Sequence, residues 1–390
     1  MSITFIGTID ISSTTFSDAD TNEDNNEVVY VEKGGNTLVG YDLSTLVQTC
    51  CTTSLTTTPA AVTIINSASA AVGLSNSSID LVELHSGYKQ NYSGATSMST
   101  LNEWSCRAAT DKDNLISLFC SSSSRTLSKF DANTFTASSI TINAPVNSYF
   151  FSIINIGNDR FIVGTDGRNL FEIDSSGNFY KSMFLEDIRL ASNIHINQLS
   201  YYNGFLLVSA GQDCGLVVLI DWTTRTILHR QGSTSTGNLG VTLSNSASGV
   251  VIAAKSNTVS SFSGNTIYEM TINQGFKANN FLYNNNTGAI TATGINSLTN
   301  YCWAIQETID DIRVFTIDAP STTQKTISSP NGEDFRVLIL DISSSPAEVI
   351  VDTYTTSPRT LDIPTGKTIL ETIKIGTGTN ATWSSSKYTT

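Results

Sequence analysis

Glu172-Ile173-Asp174-Ser175-Ser176-Gly177 closes one apolar β-run and turns the chain into the next, and its pattern of hydrophobic residue, Asp and small polar turn decides how the whole chain reads. The pattern recurs as Tyr41-Asp42-Leu43-Ser44-Thr45, Phe130-Asp131-Ala132-Asn133-Thr134 and Ile220-Asp221-Trp222-Thr223-Thr224. It continues as Ile317-Asp318-Ala319-Pro320 and Leu361-Asp362-Ile363-Pro364. Two repeats depart, Leu84-His85-Ser86-Gly87 and Phe262-Ser263-Gly264, which put His and Ser in the Asp position. From 42 through 85, 131, 174, 221, 263 and 318 to 362 the steps are 43, 46, 43, 47, 42, 55 and 44. A period of roughly 45 residues filled with short strands is the mark of propeller blades.

Each unit divides into four runs. Between 149 and 185 they are 149–156, 161–165, 169–173 and 178–185, with Gly157-Asn158-Asp159 supplying the positive φ of a tight hairpin. The next unit repeats this as 198–202, 205–210, 216–220 and 226–230, with Asn203-Gly204 between the first two. The runs are rich in Val, Ile, Thr, Phe and Tyr, and only 183–192 fits a short helix. The expected fold is all-β: a single β-propeller of four-stranded blades over 1–376, eight-bladed, with seven blades as the alternative. Residues 1–27 form an N-terminal strand and an acidic loop, and the blades run from 28. The strand at 3–11 either starts the first blade or pairs with the last as a closing latch. An insertion at 275–298 accounts for the 55-residue step, and 377–390 is a polar tail.

A length of 390 residues allows two domains, but an unbroken period favours one. Charged residues make up 14%, against roughly 25% in ordinary globular chains, so Ser, Thr and Asn must carry the surface. With 21 Lys and Arg against 34 Asp and Glu, the net charge of −13 argues against a nucleic-acid partner. The start, Met1-Ser2-Ile3-Thr4-Phe5-Ile6-Gly7, has no basic segment and no long apolar stretch, so neither a signal peptide nor membrane insertion is expected. Six cysteines at 50, 51, 106, 120, 214 and 302 contain no Cys-x-x-Cys and read as reduced, with Cys106 and Cys120 the pair best placed to bond.

Nothing in the chain points to catalysis. His85, His195 and His229 fall in different units, and no nucleophile elbow, phosphate loop or zinc motif is present. The repeated aspartates fix turns by accepting hydrogen bonds from backbone two residues on. The one segment with metal logic is Asp18-Ala19-Asp20-Thr21-Asn22-Glu23-Asp24, where Asp18, Asp20, Asn22 and Asp24 offer alternate oxygen ligands for Ca²⁺. Glu23 stands where such a loop needs Gly and Val29 where it needs Glu, so a solvated acidic loop is the other reading. No other cofactor is expected.

The repeats resemble degenerate blades of the WD40/YVTN-type β-propeller superfamily over nearly the whole chain. Trp222 follows Asp221, the reverse of the usual Trp-Asp order, and no Gly-His precedes it, so the resemblance implies architecture and no activity. The composition, low in lysine and rich in Ser, Thr and Asn, resembles virion structural proteins of tailed bacteriophages. That resemblance implies a non-enzymatic capsid or tail decoration or host-attachment protein, made in the host cytoplasm and carried in the virion. Its partners would be other virion proteins in a multi-copy assembly, and a host surface glycan or protein. The alternative is a carbohydrate- or protein-binding propeller of cellular origin, or a propeller glycan hydrolase or lyase.

Overall fold

The computed structural model describes all residues except 1, 12–15, 33–34, 99–106, 122–124, 143–147, 186–193, 203, 213–215, 233–238, 244–249, 255–265, 272–274, 283–289, 297, 300, 307–310, 319–321, 328–334, 342–345, 347, 356–358, 365–367, 376–381 and 390. Beyond 228, side chains are described only at 294–296, 298, 299, 301–303, 312, 314, 316, 346 and 349. The chain divides into a larger unit, 3–245 with 249–317, and a smaller one, chiefly 318–390.

The larger unit begins with β1 (Ser2–Asp10). Sheet 1 is the meander β2 (Phe16–Asn22), β3 (Glu27–Glu32), β4 (Thr37–Asp42) and β5 (Gln48–Ser54). Sheet 2 is β6 (Pro59–Asn66), β7 (Ser69–Leu74), β8 (Ser78–Glu83) and β9 (Lys89–Ser93). Sheet 3 is β10 (Ala108–Asp111), β11 (Ile116–Phe119), β12 (Thr126–Asp131) and β13 (Thr136–Thr141). Sheet 4 is β14 (Phe150–Gly157), β15 (Arg160–Thr165), β16 (Asn169–Ile173) and β17 (Phe179–Phe184). Sheet 5 is β18 (Ile194–Tyr202), β19 (Phe205–Gln212), β20 (Leu216–Asp221) and β21 (Thr226–Gly232). A sixth sheet follows, β22 (Leu239–Leu243), β23 (Val250–Ala254), β24 (Thr266–Thr271) and β25 (Gly275–Leu282). The seventh joins β26 (Ile290–Ile295), β27 (Tyr301–Gln306) and β28 (Asp311–Asp318) to β1, so the N-terminal strand is its outermost member. The first strands touch in sequence, β2 to β6, β10, β14, β18, β22 and β26, and β26 touches β2.

Period-two alternation explains how the sheets hold one another. On β3, Val29 and Val31 pack with Val62, Ile64 and Val72 of sheet 2, whereas Val28 and Tyr30 pack with Trp303, Ile312 and Val314 of sheet 7. On β15, Ile162 faces Ile196 and Val208 of sheet 5, while Phe161 and Val163 face Leu118 and Leu127 of sheet 3. Middle strands are therefore buried on both faces, which is why they read as unbroken apolar runs. Outer strands are not: in β13 and β17 exposed and half-buried residues alternate. Ile9 and Ile11 join the cluster between sheets 7 and 1, so apolar burial also holds the chain start at that seam.

In the smaller unit β29 (Thr322–Ile327) pairs with β32 (Arg359–Pro364). A second sheet has the order β31 (Glu348–Thr355), β30 (Phe335–Asp341), β33 (Thr368–Ile375), β34 (Thr382–Thr389).

Several expectations change. Among the described residues eight blades are not formed: the strands foreseen at 349–375 exist, but β31 pairs with β30 and β32 with β29, which is not the blade meander. Strand-like runs fix local conformation, while partner choice depends on contacts far along the chain. The expected tail at 377–390 contains β34, paired with β33 from Thr368↔Thr389 to Ile375↔Thr382. The blades start at β2 and not at 28, and the supposed insertion at 275–298 supplies β25 and β26. The proposed helix fails at its start, since Met183 and Phe184 lie in β17, and 186–192 falls outside the described residues. Cys50, Cys120 and Cys302 are buried thiols, and Cys106 and Cys214 lie outside the described residues.

Candidate functional site: the axial cavity and the turn face

Strand β2 alternates Asp18, Asp20 and Asn22, and a strand's period of two puts all three on one face. That face meets the inner edge of sheet 2. Asp18 Oδ2 accepts from the Val62 backbone N–H at 3.1 Å, and Asp20 Oδ2 from the Ile64 N–H at 2.8 Å and the Thr63 hydroxyl at 3.2 Å. An inner strand has no further strand to pair with, and these carboxylates satisfy its inward N–H groups. Asn22 Nδ2 donates to Glu27 Oε2 and to the Ser67 carbonyl, both at 3.0 Å. Asp24 stands apart, exposed in the turn between β2 and β3. The four residues proposed for Ca²⁺ thus form a strand and a turn, not a loop folded round one centre. Among the described residues no three His, Cys, Asp or Glu side chains form a metal-binding group.

The inner strands line an open cavity of about 400 Å³. Two ion pairs cross it from sheet 1 to sheet 3, passing over sheet 2: Asp18 with Arg107, and Glu23 with Lys112 at 3.4 Å. Burial pushes the Asp18 carboxyl up to about 6, against the opposing pull of Arg107 and the Val62 N–H. Burial raises the Asp20 carboxyl too, despite donors from Ile64, Thr21 and Thr63 and the charge of Lys112. Asp111 accepts from the N–H groups of Asp113, Asn114 and Asp159 and from the Asn114 amide.

On one side of the ring sheets 1 to 5 each present two turns, between the first and second strands and between the third and fourth. They are bonded to each other in the same way in four sheets: Leu43 N–H to Asn26 O, Leu84 to Ala68, Ala132 to Leu115, and Trp222 to Gly204, at 2.8 to 3.0 Å. The repeated aspartates sit just before these donors. Asp42 Oδ1 accepts from the N–H groups of Ser44 at 2.9 Å and Thr45 at 2.6 Å; Asp131, Asp174 and Asp221 do the same two residues on, at 2.9 Å each. Burial would raise Asp42, Asp131 and Asp174, but these donors outweigh it and hold them below the usual carboxylate range. Asp221 is lowered chiefly by the Thr224 N–H. In sheet 2 the position belongs to Glu83 and not His85, because Glu83 N–H bonds Tyr88 O as Asp42 N–H bonds Val47 O. His85 instead meets Asn25 Nδ2 at 3.0 Å.

Side chains tie several neighbouring sheets together on this side. Asn296 Nδ2 donates to Glu23 O at 2.8 Å, Asn25 Nδ2 to Ser67 O at 2.7 Å, and Lys129 Nζ to Ser175 O at 3.1 Å. Trp222, missed as anything but a displaced motif residue, donates from Nε1 to Glu172 Oε2 at 2.9 Å and so ties sheet 5 to sheet 4. Trp303 Nε1 bonds the Thr21 hydroxyl at 2.9 Å across the seam between sheets 7 and 1.

No protein-family model matches this chain. No curated protein matches it either. Solved structures do match, 1460 chains in all, so fold likeness by itself selects no function. One is the β-propeller domain of Myceliophteria thermophila Cps50 (Swd1), with a TM-score of 0.62 and 13% identity, covering 80% of this chain and 100% of that one. With the four-stranded meanders, the cycle of inner strands and the turn geometry above, that likeness identifies the fold: the chain carries a β-propeller of four-stranded blades.

Proposed function

We propose that the protein is a non-catalytic docking platform that binds partners through the turn face of a closed, seven-bladed ring. The observation that carries this reading is an exposed apolar side chain near the start of the fourth strand in four consecutive sheets. Val47, Tyr88, Phe135 and Phe179, just before or at the start of the fourth strand, are 61%, 60%, 54% and 37% exposed. The turns beneath them are fixed by aspartate acceptors and inter-sheet stitches, so little conformational freedom is lost when a partner binds. Large apolar groups held out in this way are what interface anchors require. The carboxylates of the cavity, by contrast, are committed to backbone donors and ion pairs, which supports binding over turnover.

The finer form of the proposal is a bacteriophage virion protein, a capsid or tail decoration or host-attachment subunit present in many copies. Its support is compositional: 14% charged residues, a net charge of −13 and a surface of Ser, Thr and Asn. Both levels are tested by mass spectrometry of purified particles from the source, followed by incorporation of a Tyr88→Ser/Phe135→Ser variant. The reading expects the chain in the particle and at least about a tenfold loss of incorporation, as for removal of interface anchors, with melting unchanged. A chain absent from particles defeats the virion form. Unchanged incorporation of the variant defeats docking through this face.

A further inference from the structure

We propose that the row of Tyr354, Arg336, Lys374 and Trp383, set side by side by the register of the smaller unit's larger sheet, binds an acidic oligosaccharide. Tyr354 is paired with Arg336, Arg336 with Lys374, and Lys374 with Trp383. Residues directly opposite one another in an antiparallel sheet share a face, so the four positions cross the sheet in one line. Neighbouring strands lie about 4.8 Å apart, which makes the row about 14 Å long. The other charged positions of this face are Asp352 and Lys387, so its balance is 3 − 1 = +2, in a chain whose net charge is −13.

Two observations mark this face as a place for a ligand. The opposite face holds Phe335, Val337, Ile339, Ile369, Ile373 and Ile375, the apolar set that a sheet packs inward. Val349, paired with Leu340 and hence on the face of the row, is 55% exposed. The second observation is a cost. Arg336 and Lys374 stand opposite each other on the two central strands of the sheet, and like charges so placed destabilise it. A departure from a sheet's own stabilising rules is what a binding site accounts for.

The residue types of the row select the ligand. Arg offers a planar fork for a carboxylate, Lys a point charge, and the aromatic positions at the two ends offer broad apolar rings with a polar tip. A single small anion would use the centre of a row about 14 Å long and neither end. A nucleic acid needs a longer track of cations than two and meets an acidic chain. A carboxylated oligosaccharide carries spaced charges, apolar ring faces and hydroxyls, which match the row and the neighbouring Thr372 and Ser385.

The test is calorimetric titration of the full chain with tetragalacturonate, in low and in high sodium chloride. Maltotetraose, hexaglutamate and decathymidylate serve as the neutral, peptide and nucleic-acid probes. The expected result is saturable binding of tetragalacturonate alone, weaker in high salt. Lys374→Gln should lose about tenfold in affinity, as for one hydrogen bond to a charged group. Its melting temperature should stay unchanged or rise, because the facing like charges are gone. Trp383→Leu should weaken binding severalfold, and if Lys374→Gln does not fold, Arg336→Gln takes its place. No saturable binding at millimolar tetragalacturonate would overturn the assignment. So would equal or tighter binding of any of the other three probes, or an affinity indifferent to the folded variants.

Discussion

The Asp18–Arg107 pair makes a prediction whose sign and size follow from burial. Asp18 is 2% exposed, and burial lifts its carboxyl from 3.8 to about 6 in the folded chain. A folded-state value above the unfolded one means stability fully present below pH 3.8 and lost as pH rises through about 6. Two pH units of separation correspond to about 3 kcal/mol. The turn aspartates act elsewhere: Asp42, Asp131, Asp174 and Asp221 are lowered, so their contribution is present above pH 3.8 and lost only as pH falls further. Across pH 4.5 to 7.5, comparison with a variant that lacks only the pair therefore isolates Asp18. In the doubly neutral Asp18→Asn/Arg107→Met variant no buried charge of the pair remains, and the Asn side chain can still accept from Val62 N–H. Urea unfolding followed by tryptophan fluorescence at pH 4.5, 6.0 and 7.5 should show wild type losing about 2–3 kcal/mol relative to this variant across the window. Asp18→Asn alone, which removes the carboxylate facing a buried guanidinium, should cost about 3–5 kcal/mol. Parallel curves for wild type and the double variant, or a wild type that gains on it as pH rises, would refute the claim that burial outweighs Arg107.

Trp222→Phe keeps the buried ring but removes the 2.9 Å bond to Glu172, and should cost about 1–2 kcal/mol in denaturant unfolding. Arg225 is exposed with φ at +57°, so Arg225→Gly should be neutral or stabilise by up to about 1 kcal/mol, read as a small rise in melting temperature. Removing 377–390 takes away β34 and bares the whole edge of β33, so the truncated chain should show faster amide exchange over 368–375 and more aggregation.

Turn chemistry was legible in the sequence because it is local. Asp42, Asp131, Asp174 and Asp221 accept from the residues that follow them, and the spacing alone reveals it. Sheet 2 was misaligned by two residues because Glu83 fills the position with a longer carboxylate, which takes the Ser86 hydroxyl at 2.8 Å, and no Asp marks the place. The alternation Asp18, Asp20, Asn22 suggested ligand spacing, yet it is equally the period of a strand, and Glu23-Asp24-Asn25-Asn26 before Glu27-Val28-Val29 reads as its hairpin turn. What could not be read is pairing. Strands β30–β33 have the lengths and composition of blade strands, and only long-range register separates them from a blade. The cavity was equally hidden, since Asp18 and Arg107 lie 89 residues apart.

Residue-level footprinting of the chain, free and in its assembly, tests the docking claim most directly. Hydroxyl-radical labelling reads large apolar and aromatic side chains well, and Val47, Tyr88, Phe135 and Phe179 are exposed in the free chain. The account predicts that all four lose most of their labelling in the assembly, while the outer-strand Phe184 keeps its own. Unchanged labelling at the four turns, with protection confined to other surfaces, would contradict it.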